Sequence, residues 1–225
     1  MATILENVQG VKARIARAAR AAGRDPQSVT LLAVSKTHPV ARMAEAQAAG
    51  LRAFGENYVQ EALQKMQSLP GVEWHLIGAL QSNKSRLAAE RFDWVQTVDR
   101  VRIANRLSEQ RPAHLPPLNV LIEVNISGEA TKSGVAVKEV TELGKAIASL
   151  PRLRLRGLMA IPAPGAAGDF VKMTQLYEKL GAQFGFDTLS MGMSDDMDRA
   201  IAAGATMVRI GTAIFGARKP EKGTT

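Results

Sequence analysis

The sequence predicts an α/β protein that folds as a single (β/α)8 barrel of the TIM type, with an extra helix at the N-terminus. Short apolar runs alternate along the chain with segments of helical periodicity, and there are eight such runs. Runs such as LNVLIEV are apolar on both faces, which is typical of buried parallel strands. Because the chain has 225 residues and no dividing linker, we expect one domain over residues 1–225.

The first element is an amphipathic helix that we place within residues 1–22. Its apolar residues Ile4, Val8, Val11 and Ile15 recur at helical spacing. Charged residues interrupt this segment, so it lacks the apolar stretch of a signal peptide. No apolar run in the sequence approaches the roughly 20 residues that span a bilayer. We therefore expect a cytoplasmic protein without membrane contact.

Eight candidate strands follow the first helix, each a short apolar run bounded by polar or turn residues. They are Thr30–Ser35, Arg52–Gly55, Glu73–Gly78, Trp94–Val98, Leu118–Val124, Leu153–Ile161, Thr188–Met191 and Met207–Ile210. Segments with a helical period lie between them. These are Val40–Ala49, Tyr58–Leu69, Ser82–Arg91, Arg100–Glu109, Val137–Leu150, Phe170–Phe184 and Asp195–Ala203. Glycines stand where helix C-caps are expected, at Gly50, Gly71 and Gly204.

The alternation of strands and helices implies parallel strands joined by right-handed crossovers. Eight such units close into a barrel, and the main alternative is a doubly wound open sheet. No G-x-G-x-x-G sequence follows the first strand, which argues against a dinucleotide-binding version of that alternative. Residues 217–225 follow the last helical segment and are expected to form a flexible tail.

The composition excludes several kinds of chemistry. The chain has no cysteine, so disulfides, thiolate metal sites and cysteine nucleophiles are ruled out. The three histidines share no ligand spacing, and we expect no metal site. The net charge is 29 − 21 = +8, but the cations are spread along the chain and only 4% of residues are aromatic. We therefore expect a solvated basic surface and no nucleic-acid partner.

Polar residues follow the predicted strands, at the end of the barrel where function gathers in this fold. Lys36 is the most distinctive, because it ends LLAVS, a run that should be buried. Low dielectric and the nearby cations Lys84 and Arg209 would favour the neutral amine, which attacks carbonyl carbon. The alternative is a lysine that simply reaches solvent beyond the strand, which is the commoner case for an isolated lysine.

The loops after the last two strands are rich in small and hydroxylated residues: Ser190, Gly192, Ser194, Gly211 and Thr212. Barrels often hold a phosphate on these loops, where glycine lets backbone N–H groups approach an anion. The alternative is that the glycines only form turns. Together with the amine, these loops fit a ligand that has both a carbonyl and a phosphate. Pyridoxal 5′-phosphate (PLP) is such a ligand, and so is the sugar phosphate of a Schiff-base aldolase.

Several long motifs occur in one order along almost the whole chain, from the first strand to near Lys219. They are LLAVSKTHP, FGENYVQEA, WHLIGALQSNK, VNISGEATKSG, RGLMAI and SMGMSDDMDRAIAAGATMVRIGTAIFG. In these motifs the sequence resembles the pyridoxal phosphate homeostasis protein family (YggS/PROSC type). The resemblance implies a fold similar to the barrel domain of bacterial alanine racemase, without the second, β-rich domain of that enzyme.

The resemblance also implies roles for matching positions. Lys36 matches the lysine that forms the Schiff base with PLP, and Arg209 matches the arginine that faces the pyridine nitrogen. Asn57 matches a residue beside the cofactor. The phosphate-binding positions are matched by Ser190, Gly211 and Thr212. His75 and Met159 lie on strands expected to line the pocket.

These roles predict a cofactor-binding protein with little catalytic power. A permanent cation beside the pyridine nitrogen makes PLP a poorer electron sink, which argues against transamination. In alanine racemase, a second base comes from the domain that this chain lacks, and the two tyrosines here are Tyr58 and Tyr177. Because Tyr177 lies at core-like helical spacing, it is expected to serve packing.

We therefore expect an intracellular carrier or buffer of PLP, and the alternative is a PLP-dependent amino-acid racemase of weak activity. The expected partners are PLP itself and PLP-dependent apoenzymes. A monomer is expected, because the second domain of the racemases contributes to their dimers. No catalytic residue is assigned from the sequence.

Overall fold

Eight parallel strands close into a barrel and follow one another around it in sequence order. The computed structural model describes residues 2–129, 131–163 and 165–217. The first and last strands pair side by side, with Leu32 opposite Arg209 and Ala33 opposite Ile210. The predicted barrel is therefore confirmed, and the open doubly wound sheet is excluded.

Every predicted strand occurs, and the observed ends differ from the predicted ones by at most two residues. The strands are β1 (Thr30–Val34), β2 (Ala53–Glu56), β3 (Glu73–Leu76), β4 (Trp94–Val98), β5 (Leu118–Glu123), β6 (Leu153–Met159), β7 (Thr188–Ser190) and β8 (Met207–Ile210). The differences concentrate at the carboxyl ends. Apart from β2, the strands that differ there end earlier than the apolar runs indicate, because residues such as Ser35 and Gly78 already belong to the turns at the barrel mouth.

Helices surround the strands as predicted, with ends that differ by up to three residues. They are α1 (Ile4–Ala21), α2 (Val40–Ala48), α3 (Val59–Met66), α4 (Ser85–Arg91), α5 (Val101–Gln110), α6 (Val140–Ala148), α7 (Ala167–Phe184), α8 (Met197–Ala202) and α9 (Thr212–Phe215). Short 3₁₀ turns at Ser82–Lys84 and Val137–Glu139 account for the late starts of α4 and α6.

Two of the three predicted glycine caps are confirmed. Gly50 and Gly204 each follow the C-cap residue of their helix, Ala49 for α2 and Ala203 for α8, and both adopt a positive φ. The expectation for Gly71 is wrong, because α3 ends at Met66 and Gly71 lies further on, in the loop before β3. A left-handed cap that was not predicted occurs at Gly185, directly after α7.

Helix α1 lies outside the barrel against α8 and α9. Its apolar stripe is buried as the spacing predicts: Ile4, Val8, Val11, Ile15 and Ala19. Long-range hydrogen bonds from Asn7 and Arg14 fasten it there. Asn7 donates to the carbonyl of Ile214 at 2.9 Å, and Arg14 donates to the Asp198 carboxylate at 2.8 Å. The extra helix therefore joins the start of the chain to the elements that follow β7 and β8.

The strands bury two different faces, since successive side chains point to opposite sides. Ala33 packs in the large core between barrel and helices, whereas its neighbour Leu32 belongs to a separate small cluster with Ile77 and Met207. The small clusters therefore fill the barrel interior. Buried polar residues share this inward face: His75, Gln96, Ser190 and Arg209. The neighbours of these polar residues along each strand point outward and pack in the main core: Leu76, Val95, Leu189 and Val208.

No helix in the described part of the chain is long and apolar enough to cross a membrane. Within the same residues, no group of three or more histidine, aspartate or glutamate side chains is arranged to hold a metal ion. Of the tail predicted at 217–225, residues 218–225 lie outside the described residues.

Candidate functional site

Lys36 lies at the barrel mouth, in the turn that follows β1, and its side chain is half-buried. The turn is tied to β2 because the Ser35 N–H donates to the carbonyl of Gly55 at 3.0 Å. The next residue, Thr37, has a φ of +65°. This left-handed conformation is uncommon for a β-branched residue and persists only where surrounding contacts enforce it.

Those contacts come from three charged residues, Glu56, Glu61 and Lys65, which we call the Lys65 cluster. The Lys65 ammonium donates to the Ser35 carbonyl at 2.8 Å and to the carboxylates of Glu56 and Glu61 at 2.7 Å each. Glu61 in turn accepts the Thr37 backbone N–H at 2.6 Å. The residues before and after Lys36 are therefore both held by the cluster.

The Lys65 cluster is largely buried, and its charges depend on each other. Glu56 is fully buried; its Oε1 also accepts the Ser35 hydroxyl at 2.6 Å, while its Oε2 has no hydrogen-bond partner. Burial raises the pKa of Glu56, and the hydrogen bonds from Lys65 and Ser35 act in the opposite direction. A buried pair of this kind is tolerated only while both partners are present.

Arg209 lies on β8, the strand next to β1, and its guanidinium is buried in the barrel. Its Nη1 donates to the Ser190 hydroxyl and its Nη2 to the carbonyl of Ala160, both at 2.8 Å. Burial lowers the pKa of Arg209 to about 10, while Glu123 and Asp196 act to raise it. The guanidinium therefore remains a cation at neutral pH.

Gly211 brings the end of β8 against the end of β1. A Cβ atom at Gly211 would lie only 3.1 Å from the carbonyl oxygen of Val34, so a side chain there would crowd the adjacent strand. Thr212 follows it, exposed, as the first residue of α9. The turn after β8 therefore lies beside the turn that presents Lys36, and the first N–H groups of α9 have no partner within the helix.

Asn57 follows β2 and is half-buried, in close contact with the turn after β3. A Cβ atom at Gly78 would lie 2.2 Å from the Asn57 carbonyl oxygen, so only glycine permits this approach. Asn57 also lines a cavity of about 350 Å³, together with Tyr58, Gln81 and Lys84 among others. Lys84, predicted as a cation near Lys36, therefore shares this cavity with Asn57.

Glu123 is a site residue that the sequence reasoning missed. It is the last residue of β5 and only 6% exposed. Burial, with a smaller contribution from Asp99, raises the pKa of Glu123 to about 7, while Arg209 acts to lower it. A charge inside the apolar run LNVLIEV was the available signal, since carboxylates are rarely buried without a partner.

The raised pKa of Glu123 predicts a stability that falls as the pH rises. The folded chain holds this proton to higher pH than the unfolded chain, whose carboxyl titrates near 4.5. Folding stability should decrease by about 1.4 kcal/mol per pH unit across this interval, up to about pH 7. Urea unfolding between pH 4.5 and 8 measures it, and Glu123→Gln lacks the effect. Parallel stability curves for the two proteins would contradict the assignment.

Two other predicted site residues lie deeper than expected. The Ser190 hydroxyl is fully buried, where it accepts from Arg209 and donates to Gln96 at 2.7 Å. His75 lies in the barrel interior between Gln96 and Glu73. Ser190 therefore contacts the Arg209 guanidinium directly, whereas His75 is connected to Ser190 through Gln96.

Gln96 and Lys65 were also missed by the sequence reasoning, although each left a signal. Gln96 is the one amide in the strand sequence WVQTV, whose other residues are three apolar side chains and a threonine. Lys65 falls on the stripe formed by Val59 and Ala62 at helical spacing, where a buried apolar residue is the rule.

Tyr177 stacks on Phe186, with 5.9 Å between the ring centroids, and its predicted packing role is confirmed.

The barrel and its mouth place the chain in a class of known folds. Residues 7–219 match the family model of the alanine racemase N-terminal domain. Alanine racemase from Corynebacterium glutamicum has a similar barrel, with a TM-score of 0.69 over 97% of this chain and 63% of that one. Their sequence identity is 20%, so this likeness concerns the fold alone.

Nearer relatives define the family. PipY of Synechococcus elongatus PCC7942, solved with PLP bound, has a TM-score of 0.77 and 37% identity, over 90% of this chain and all of that one. Pyridoxal phosphate homeostasis proteins of Escherichia coli K12 and Pseudomonas aeruginosa are 56% and 60% identical over 235 and 223 residues. These alignments cover 99% and 97% of this chain, and 100% and 97% of the relatives. The chain belongs to the pyridoxal phosphate homeostasis protein family.

Proposed function

We propose that this chain binds PLP through Lys36 and serves the homeostasis of that cofactor as a carrier or buffer. The observation that supports this best is the clamped, half-buried Lys36 turn beside the glycine turn after β8 and above a buried arginine. When bound, PLP supplies an aldehyde that condenses with a primary amine to form a Schiff base and water. The PLP-bound PipY structure, at 37% identity, supports the same assignment.

The described residues divide the binding task among them. Lys36 provides the amine, and Arg209 provides a fixed cation for the ring nitrogen. Gly211 and Thr212 offer backbone N–H groups and a hydroxyl to the phosphate. Asn57 bounds the pocket on the side of β2. For Ser190 we propose an indirect part, because its hydroxyl holds Arg209.

The charge state of Arg209 argues against transamination by the bound cofactor. Because its pKa remains near 10 even when buried, the guanidinium disfavours a protonated pyridine nitrogen, and electron withdrawal by the ring is weak. Tyr58, which could have supplied a second base, is 64% exposed at the rim. The alternative function remains a weak PLP-dependent amino-acid racemase.

We further propose that PLP-dependent apoenzymes receive the cofactor and that the working form is a cytoplasmic monomer. The exposed mouth supports a direct handover, because Lys36 is only half-buried and the turns around it reach the surface.

The function is tested by titrating the metal-free apoprotein with PLP and recording the near-visible absorbance of the imine. We expect one equivalent to bind, and then to transfer to an apo-aminotransferase that regains activity. Amino-acid racemisation is followed in parallel with L-alanine. Failure of the imine band to appear would overturn the binding proposal, and sustained racemisation at enzymatic rates would overturn the carrier role.

A further inference from the structure

A continuous line of hydrogen bonds crosses the barrel interior from the mouth to the opposite end. Arg209 Nη1 contacts Ser190 Oγ at 2.8 Å, and Ser190 Oγ contacts Gln96 Oε1 at 2.7 Å. Gln96 Nε2 lies 2.9 Å from His75 Nδ1, and His75 Nε2 lies 2.8 Å from Glu73 Oε1. We call these five residues the interior chain. Four strands contribute to it: β8, β7, β4 and β3.

The proton positions along the interior chain follow from its first member. An arginine can only donate, so the Ser190 oxygen accepts and its single proton goes to Gln96 Oε1. The Gln96 amide nitrogen must then donate to His75 Nδ1. This leaves the His75 proton on Nε2, where it is donated to Glu73. Every link therefore donates in one direction, away from the mouth.

The charge states agree with this direction. Burial lowers the pKa of His75, which keeps the ring neutral, although Glu73 acts against this shift. The hydrogen bond from His75 lowers the pKa of Glu73, which keeps that carboxylate ionised. The interior chain thus begins at a buried cation and ends at a carboxylate whose side chain is 47% exposed at the start of β3. In a low-dielectric interior, each bond polarises the next.

The far end of the interior chain is held by stacked groups. The His75 ring lies on Trp94, with 5.1 Å between centroids and 10° between planes. The Arg156 guanidinium lies 4.7 Å from the centroid of the Trp94 ring. Arg156 is itself bonded to Asp187 at 2.8 Å. These contacts restrict the ring rotation that would otherwise exchange the two imidazole nitrogens.

We propose that Gln96 is the positioning residue for Arg209, acting through Ser190, and that Glu73 and His75 fix the orientation of the Gln96 amide. This inference rests on the proposed function, in which Arg209 meets the cofactor ring. Within the part of the chain that the structure describes, the guanidinium hydrogen-bonds to Ser190 and Ala160, so loss of the first bond lets it pivot about the second.

Two variants and one control test the proposal. Gln96→Leu keeps the approximate volume and removes both of its links in the interior chain. Glu73→Gln keeps an acceptor for His75 but removes the charge, at a half-exposed position where folding should be preserved. Ser85→Ala is the control, because it also removes buried hydrogen bonds, at the start of α4 and outside the barrel interior.

Three measurements distinguish positioning from a merely structural role. In the apoprotein, ¹⁵N shifts of the His75 ring should report the Nε2–H tautomer, and Glu73→Gln should mix the two tautomers, because an amide can donate as well as accept. In Gln96→Leu, PLP affinity should fall about tenfold, the size expected for one hydrogen bond to a charged group. The ¹⁵N shift of the pyridine nitrogen in labelled PLP should move in Gln96→Leu and, less strongly, in Glu73→Gln.

Ser85→Ala should lower thermal stability while leaving PLP affinity and both ¹⁵N readouts unchanged. The proposal is overturned if Gln96→Leu binds PLP with wild-type affinity and an unchanged pyridine shift. Should Gln96→Leu fail to fold, Glu73→Gln decides alone, and an unaltered pyridine shift in that variant is the contrary result. A wild-type protein that binds no PLP refutes the proposed function instead, and this is seen before any variant is compared.

Discussion

Replacing Lys36 by alanine should abolish the phosphopyridoxyl adduct that borohydride traps on the wild-type protein. Borohydride reduces an imine to a stable amine, so peptide mass mapping reports which lysine had reacted. The half-buried position of Lys36 beside the Gly211 turn makes it the lysine that can meet an aldehyde whose phosphate lies on that turn. We expect complete loss of the adduct at stoichiometric PLP.

The matched controls for this experiment are Lys36→Arg and Lys145→Ala. Lys36→Arg keeps the positive charge but cannot form a Schiff base, so it should lose the adduct as well. Lys145 forms a surface ion pair with Glu142, and its replacement should leave the adduct on Lys36. Mapping of the wild-type adduct to any other lysine would refute the assignment.

Replacing Lys65 by methionine should destabilise the fold by about 3–5 kcal/mol, the range observed when one partner of a buried ion pair is removed. The reason is specific to this cluster. Glu56 would keep one oxygen that already lacks a partner and would lose the ammonium from the other. Urea unfolding of the apoprotein measures the loss, through the midpoint at unchanged slope.

The double variant Lys65→Met, Glu56→Gln should recover part of that stability, because no uncompensated carboxylate then remains buried. Lys145→Met is the surface control, since both Lys145 and its ion-pair partner Glu142 are largely exposed. Its effect should stay within about 1 kcal/mol. A double variant less stable than Lys65→Met alone would show that the buried charge is not the cause.

The barrel itself could be predicted from the sequence because its signals are local. Strand and helix periods alternate within short windows, and strand ends then follow from topology. Lys36 was found in this way, as a charge directly after an apolar run. Arg209 was located by its place on the last strand and Gly211 by its place directly after it, and their closeness to Lys36 follows from barrel closure.

The contacts that support these residues could not be predicted, because they join distant positions. Lys65 reaches the carbonyl of Ser35, 30 residues away in the sequence, and Gln96 meets Ser190 across 94 residues. Neither pairing has a periodic or motif signature. The left-handed conformation of Thr37 was equally hidden, since a threonine gives no reason to expect it. Such features depend on tertiary packing.

The pairing of β1 with β8 has a consequence for how the chain folds. This seam joins the most distant strands of the chain, and the bond between Asn7 and Ile214, 207 residues apart, lies beside it. Pairing β1 with β8 closes a long loop, and this costs conformational entropy before the contacts between the two strands can stabilise the fold. A ligand that contacts both Lys36 after β1 and Gly211 after β8 binds only when these strands are paired. Ligand binding and closure of the barrel are therefore thermodynamically linked.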